Sequence, residues 1–319
     1  MLAIDVGATR TRVRVEEIAS REEILHAEFE SGSLDDFVKT LKETLGSLIK
    51  RVKVCAIGVA GRVDRERKRC SPTFLDWGEG VPIVKIINAM GIPRVYLMND
   101  LEAGVHGIDS LEENRTIQIA GSLYKPEPDA PLVLGMPGTG CGIGYRDKKG
   151  VVRPSEGGGN LVHLDPSSQF EIELLRSIQE EIGGPPCYDY LVSGGGIKRI
   201  MDLLLKERGR NDYPEELPPS IISKMALEGD PLCREAIEIF CRFFARCMQG
   251  AVLITLAPVL YLGGSIVDAN HPLLKESFPT HFANHPHHKT FLSDIPILLI
   301  VNEPNLNLLG AVKVALKNA

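Results

Sequence analysis

The sequence predicts an α/β fold: mixed β-sheets with helices packed on their faces. Three observations carry this. Apolar strand-like runs alternate with amphipathic helical stretches through the first hundred residues. A helix-dominated region follows, closed by one more apolar strand and a helix. A strand, glycine turn and second strand occur together twice, in LAIDVGATRTRVRV and, about 130 residues later, in PLVLGMPGTGCGIGY. With 319 residues, 44% apolar and 24% charged, the chain can build two domains with cores of their own.

Taken in order, strands are expected at residues 2–6, 11–16 and 23–29. In LDDFVKTLKETLGSLIKRV, Leu34, Phe37, Leu41, Leu45 and Leu48 recur at helical spacing, and Ser33 can cap the start. VKVCAIGVAG reads as a buried strand ending in Gly61, and VPIVKIINAMG as a helix closed by Gly91. RVYLMND is a strand ending at Asn99 and Asp100, with a helix after it. A second unit starts near residue 115, with strands in TIQIAG, PLVLG, CGIGYRD and GVVRPS. Helices are expected at 168–182, 188–193, 196–208, 220–228 and about 231–256, with a loop from Pro214 to Pro219. PVLYLGGSIVD is a strand meeting a glycine turn, IPILLIV a last strand and NLLGAVKVALKN a last helix. His281, His285, His287 and His288 lie near Pro279 and Pro286, which predict a solvated loop with no metal role.

Bulk properties exclude several classes. The net charge of −6 argues against a general nucleic-acid binder. The basic cluster Arg65, Arg67, Lys68 and Arg69 is interrupted by Asp64 and Glu66 and reads as a solvated hairpin. No apolar run reaches the ~18 residues of a membrane helix. MLAIDVGATR enters a strand directly, with no secretion signal, so a cytoplasmic protein is expected. Seven scattered cysteines without a CxxC pair indicate buried free thiols, not zinc or dithiol chemistry.

The two glycine turns carry the chemical signal. A hairpin turn rich in glycine lets backbone N–H groups converge without side chains in the way, and such a nest binds phosphate. Neither turn has the Gly-Lys-Ser/Thr of a Walker loop. Neither leads into a helix, as a dinucleotide fingerprint must: C-G-I-G-Y-R-D and R-T-R-V-R-V-E-E both alternate like strands. An ordinary hairpin needs the same glycines, but two nests suggest two lobes gripping one polyphosphate.

The strings DVGATRTR, YLMND, MPGTGCG, SEGGGN, YDYLVSGGGI, YLGGSIVD and NLNLLGA together resemble, in order and over essentially the whole chain, the motifs of bacterial-type glucokinases. These belong to the sugar kinase/Hsp70/actin superfamily. The resemblance implies two ribonuclease-H-like lobes with mixed sheets flanking a central cleft, the actin-like ATPase fold. It implies a discontinuous small lobe, 1–110 plus 302–319, and a large lobe, 111–301. It also implies ATP-dependent phosphorylation of the glucose 6-hydroxyl, a step of glycolysis, with Mg²⁺. The cysteine-rich zinc motif of the related repressor/kinase group is absent.

Carried over residue by residue, Asp100 is the catalytic base, although a strand-end aspartate is equally a helix N-cap on its own. Sugar contacts are expected from Asn99, Asp100, Glu156, Asn160 and Asp189. Asp5, Gly7, Ala8, Thr9 and Arg12 would face the phosphates from one side, with Asp5 on the Mg²⁺ side, directly or through water. Gly138, Thr139 and Gly140 would hold the β- and γ-phosphates from the other, and Gly263, Gly264 and Ser265 would form the adenosine wall, where a plain strand-to-helix turn needs the same glycines. The chain departs from the family twice. Its sugar loop reads Glu156-Gly157-Gly158-Gly159-Asn160 where glucokinases have Glu-Gly-Gly-His, so Asn160 or His163 stands in for the histidine. Asp189 replaces a glutamate, shorter by roughly 1.5 Å. Kinase chemistry is therefore firmer than glucose specificity. Rival readings are a kinase for another sugar or sugar derivative, a non-catalytic sugar sensor, and an actin-like or chaperone ATPase. The sensor would lose Asp100 or a phosphate loop and often add a DNA-binding segment, for which there is no room before residue 2; the sugar-loop residues oppose the ATPase. A homodimer is left open, and no nucleic-acid or membrane partner is expected.

Overall fold

The computed structural model describes residues 1–154, 164, 166–302 and 305–319. Its first half forms β1 (Leu2–Val6), β2 (Arg10–Glu16), β3 (Glu23–Glu30), α1 (Leu34–Leu45), β4 (Val54–Val59), β5 (Gly61–Asp64), β6 (Arg69–Pro72), α2 (Ile83–Ala89), β7 (Arg94–Asn99) and α3 (Asp100–Ile108). The sheet order is β3-β2-β1-β4-β7, with β5 and β6 a separate hairpin. β1 runs antiparallel to β2 and parallel to β4, which is parallel to β7. The apolar runs of β1, broken only by Asp5, and of β4 fit this place: both strands are buried along their whole length.

The second half forms β8 (Thr116–Ala120), β9 (Leu132–Pro137), β10 (Cys141–Arg146), β11 (Val152–Pro154), α4 (Gln169–Ile182), α5 (Gly194–Glu207), α6 (Pro219–Leu227), α7 (Pro231–Thr255), β12 (Leu260–Leu262), α8 (Ser265–Ala283), α9 (Lys289–Asp294), β13 (Ile297–Ile300) and α10 (Leu306–Lys317). Its sheet order is β11-β10-β9-β12-β13-β8. The largest core lies here, where Phe240 and Phe244 of α7 meet Phe278 and Phe282 of α8. All seven cysteines are buried free thiols. Among the described residues no helix is long and apolar enough to cross a membrane.

Three expectations are corrected. The helix begun at Ser33, whose hydroxyl accepts from Asp36 N, ends at Gly46 (φ 48°), and Leu48 falls in a short 3₁₀ turn instead. The helix expected at 188–193 is a single 3₁₀ turn, Tyr188–Tyr190, because Ser193 caps a new helix by accepting from Gly196 N. The solvated loop expected for the histidine cluster holds for His285, His287 and His288, which follow the helix, but not for His281: α8 runs through Pro272 and Pro279 to Ala283, and His281 Nε2 lies 2.5 Å from Glu238 Oε1 on α7. Pro272 denies Asp268 its helical partner, but His271 Nδ1 lies 2.8 Å from that carbonyl, and burial of Leu273, Leu274, Phe278 and Phe282 holds the rest.

α3 and α10 lie between the sheets. Leu101 and Val105 of α3 pack with Leu132 and Leu134 of β9, and Ala103 packs with Ala3, Ala56 and Met98 of the first sheet. α10 covers the same face with Leu308, Ala311, Val312 and Ala315. The two helices touch backbone to backbone: a Cβ on Gly310 would sit 1.6 Å from Ala103 O. At the far end, Asp109, which closes α3, accepts two hydrogen bonds from buried Arg146 of β10 (2.6 and 2.8 Å) and one from Lys313 of α10.

Candidate active site

A cavity of about 760 Å³ opens where the ends of β1, β7 and β9 meet the starts of α3, α8 and α10. Both glycine turns line it. In the first, Gly7 N donates to Arg10 O (3.0 Å). Ser31 fixes the turn from outside, donating from Oγ to Gly7 O (2.8 Å) and from N to Thr9 O (3.0 Å). Gly7 and Ala8 face the cavity, whereas Thr9 is exposed at the tip and lies off its wall. In the second turn, Gly138 N donates to Gly140 O (2.8 Å), and Gly138, Thr139 and Gly140 all line the cavity.

Asp5 is buried at the end of β1. Its Oδ2 accepts weakly from Asn305 Nδ2 (3.3 Å) and Arg12 Nη1 (3.4 Å), while buried Oδ1 has no hydrogen-bond partner among the described residues. Burial raises its pKa against the opposing pull of Asn305, Arg12 and Asn307. Arg12 is shared: its Nε donates to Glu28 Oε2 (2.7 Å).

Asn99 and Asp100 divide two jobs that the sequence left open between them. Asn99 is the N-cap of α3: its Oδ1 accepts from Leu101 N (2.8 Å), and its Nδ2 donates to Gly61 O (2.8 Å). Asp100 is not the cap. It begins the helix, half-buried on the cavity wall. Burial, then the neighbouring charge of Asp5, pushes its carboxyl up to about 7. Such a group is about half ionised near pH 7 and takes a proton readily.

Asp189, half-buried, also lines the cavity, and its Oδ1 accepts from Cys141 N (2.6 Å). Gly264 (φ 95°) and Ser265 form the wall at the start of α8. Gly263 sits behind it, where a Cβ would meet Ile300 Cδ1 at 3.1 Å. Glu156, Asn160 and His163 lie outside the described residues.

The cavity also recruits residues that sequence reasoning missed. Gly61, Arg62, Thr73 and Phe74 come from the β5–β6 hairpin and its flank. The turn of that hairpin is solvated as expected, with Arg65, Arg67, Lys68 and Arg69 exposed, while Arg65 also reaches buried Glu102 on α3. Asp268, Asn305 and Asn307 line the opposite side. The repeated Asn-Leu of NLNL at a helix start was the available signal for the last two: Asn305 caps α10 through Leu308 N (3.0 Å).

The glucokinase family model matches residues 2–318. The chain belongs to the glucokinase family. It is 29% identical over 305 residues to the glucokinase of Chromobacterium violaceum, covering 93% of this chain and 84% of that one. It is 27% identical over 344 residues to the glucokinase of Nostoc sp., covering 98% and 97%. Among solved structures it resembles the Balamuthia mandrillaris glucokinase in complex with glucose, with TM-score 0.83, 22% identity and coverage of 98% and 92%. It also resembles a ROK family glucokinase from Streptomyces griseus in complex with glucose and AMPPNP, with TM-score 0.71, 16% identity and coverage of 99% of both chains. These likenesses show the actin-like ATPase fold. As a glucokinase-family enzyme the chain is an ATP-dependent sugar kinase.

Proposed function

We propose that this cavity transfers the γ-phosphoryl group of ATP to the 6-hydroxyl of glucose, with Asp100 as general base. The carrying observation is the Asp100 carboxyl, freed from capping by Asn99, set in the cavity and raised to about 7. As the hydroxyl oxygen bonds to the γ-phosphorus, its proton passes to Asp100, the bond to the bridging β–γ oxygen breaks, and ADP leaves. The backbone N–H groups of the two glycine turns would hold the phosphates from both sides. Asn99 keeps one amide hydrogen and one lone pair for the sugar, and Asp100 and Asp189 accept from hydroxyls. Glu156 and Asn160 would complete that ring of contacts.

Among the described residues there is no cluster of three or more metal-ligating side chains. The partnerless, buried Oδ1 of Asp5 nonetheless fits Mg²⁺, an oxygen-seeking ion that keeps several waters and takes few protein ligands. Bound there with the nucleotide, Mg²⁺ would neutralise phosphate charge that the lysine-free turns leave unmatched. The packing of α10 on the first sheet supports a small lobe of 1–110 plus 302–319 closing on a large lobe of 111–301.

A coupled assay with ATP, Mg²⁺ and a dozen sugars tests this. Glucose should be the best substrate and excess EDTA should abolish turnover. Preference for another sugar would favour the second reading, a kinase for a different hexose, which the shorter Asp189 motivates. No turnover of any sugar would remove the proposal.

A further inference from the structure

One segment serves both halves of the proposed reaction. The second glycine turn is held at both ends by residues 189–194. Gly194 N, in the first turn of α5, donates to Gly138 O (3.0 Å). Asp189 Oδ1 accepts from Cys141 N (2.6 Å), immediately after the turn. Contact with Gly140 is as tight as that residue allows: a Cβ there would lie 3.0–3.1 Å from the Asp189 carboxyl atoms. This carboxylate also lines the cavity, and its other oxygen is not committed to the turn. Ser193 caps α5 at 3.1 Å and so ties the bracket to a buried helix whose Ile197, Ile200, Met201 and Leu204 pack in the large core. The bracket is therefore anchored, not a loose loop.

Resting on the reading of the cavity as a sugar kinase site, we propose that Asp189 is a positioning residue for the second phosphate turn, and that its carboxylate couples sugar occupancy to nucleotide binding. One oxygen orients the turn through Cys141 N–H; the other accepts from a sugar hydroxyl. A hydroxyl on that second oxygen fixes the carboxylate plane, and with it the direction of the bond to the turn. The carboxyl atoms already sit against Gly140, so a methyl added at that glycine would press on them. A coupling of this kind is reciprocal: nucleotide in the turn must favour sugar by the same factor that sugar favours nucleotide.

The test separates the two oxygens. Binding of the non-hydrolysable ATP analogue AMPPNP with Mg²⁺ is measured by calorimetry with and without glucose, and glucose KM by coupled assay, on the full chain. Asp189→Ala should weaken AMPPNP binding about tenfold even without sugar, although the residue is on the sugar side. Asp189→Asn keeps an oxygen for Cys141 N–H; it should hold AMPPNP affinity within about twofold, raise glucose KM about tenfold and lose the enhancement of AMPPNP binding by glucose. Gly140→Ala, which pushes on the carboxylate, should weaken both ligands. Circular dichroism and melting curves establish that each variant is folded, and the Asn and Gly140 variants decide the matter if the Ala variant is not. AMPPNP affinity unchanged in folded Asp189→Ala, or glucose KM unchanged in Gly140→Ala, overturns the coupling and leaves the kinase reading intact. A wild-type chain inactive on every sugar overturns the kinase reading, while the sugar-free AMPPNP measurement still reads the contact with the turn.

Discussion

The two halves of the molecule repeat one plan with different side chains. Strand order β3-β2-β1-β4-β7 in the first matches β11-β10-β9-β12-β13 in the second: three antiparallel strands, then two parallel to the third. Each plan places a glycine turn after its first strand and an asparagine-capped helix after its last, Asn99 before α3 and Asn305 before α10. The occupants differ. Paired residues Asp5 and Arg12 flank the first turn, where Met136 and Gly142 flank the second. The charged Asp100 follows the first cap, where Leu306 follows the second. At these matched places the first half sets charged groups and the second sets Met136, Gly142 and Leu306; the carboxylates of the second half, Asp189 and Asp268, enter the cavity from other positions. Topology decides where a side chain enters the cavity; residue identity decides whether that place does chemistry.

Breaking the first half should cost far more than altering the second. Asp100→Asn should stay folded and lose at least ~10²-fold in turnover, measured by coupled assay. Next, Asp5→Ala should lower kcat/KM for Mg·ATP by roughly 10-fold or more while sparing glucose affinity, because it empties the partnerless oxygen and not the sugar side. The pH profile sharpens the same contrast. A base must be unprotonated, so kcat/KM should fall about tenfold per unit below the Asp100 value of about 7 and level off above it. Stability should carry the opposite signature. The folded state holds a proton on Asp100 between its ordinary value of 3.8 and about 7, so rising pH across that window destabilises the fold. Asp100→Asn should therefore raise Tm by at least ~2 °C at pH 8, with little gain near pH 4. Smallest of all, Met136→Leu, at the position matching Asp5, should change turnover less than about threefold. A large loss there would erase the division between the halves.

Both glycine turns and nearly every strand were legible in the sequence, because apolar runs and Gly-rich turns are local signals. The α8 helix was not. Pro272 and Pro279 argue for a break, and what overrides them is distant: the packing of Phe278 and Phe282 on α7, and a histidine that replaces the lost partner of a carbonyl. In the site, Asp5 and Asp100 were readable as strand-end carboxylates. The split of roles between Asn99 and Asp100 was not, since it depends on Gly61 O accepting the Asn99 amide from 38 residues away. Asn305 and Asn307 were readable only as a helix start, for the same reason: their value to the site lies in reaching Asp5, at the other end of the chain.

The cover that α10 lays over the first sheet sets an order in time. Ala3, Val54, Ala56 and Met98 are synthesised early, whereas Leu308, Ala311, Val312 and Ala315, which shield them, follow about two hundred residues after α3. At ~5–20 residues per second, the ribosome leaves that apolar face without its cover for roughly ten to forty seconds. The first sheet can pair its strands during this interval, but its second face closes only after the whole of the other half has emerged. During this interval the nascent chain exposes part of the apolar surface that, once covered, carries Asp5 and Asp100 on its rim.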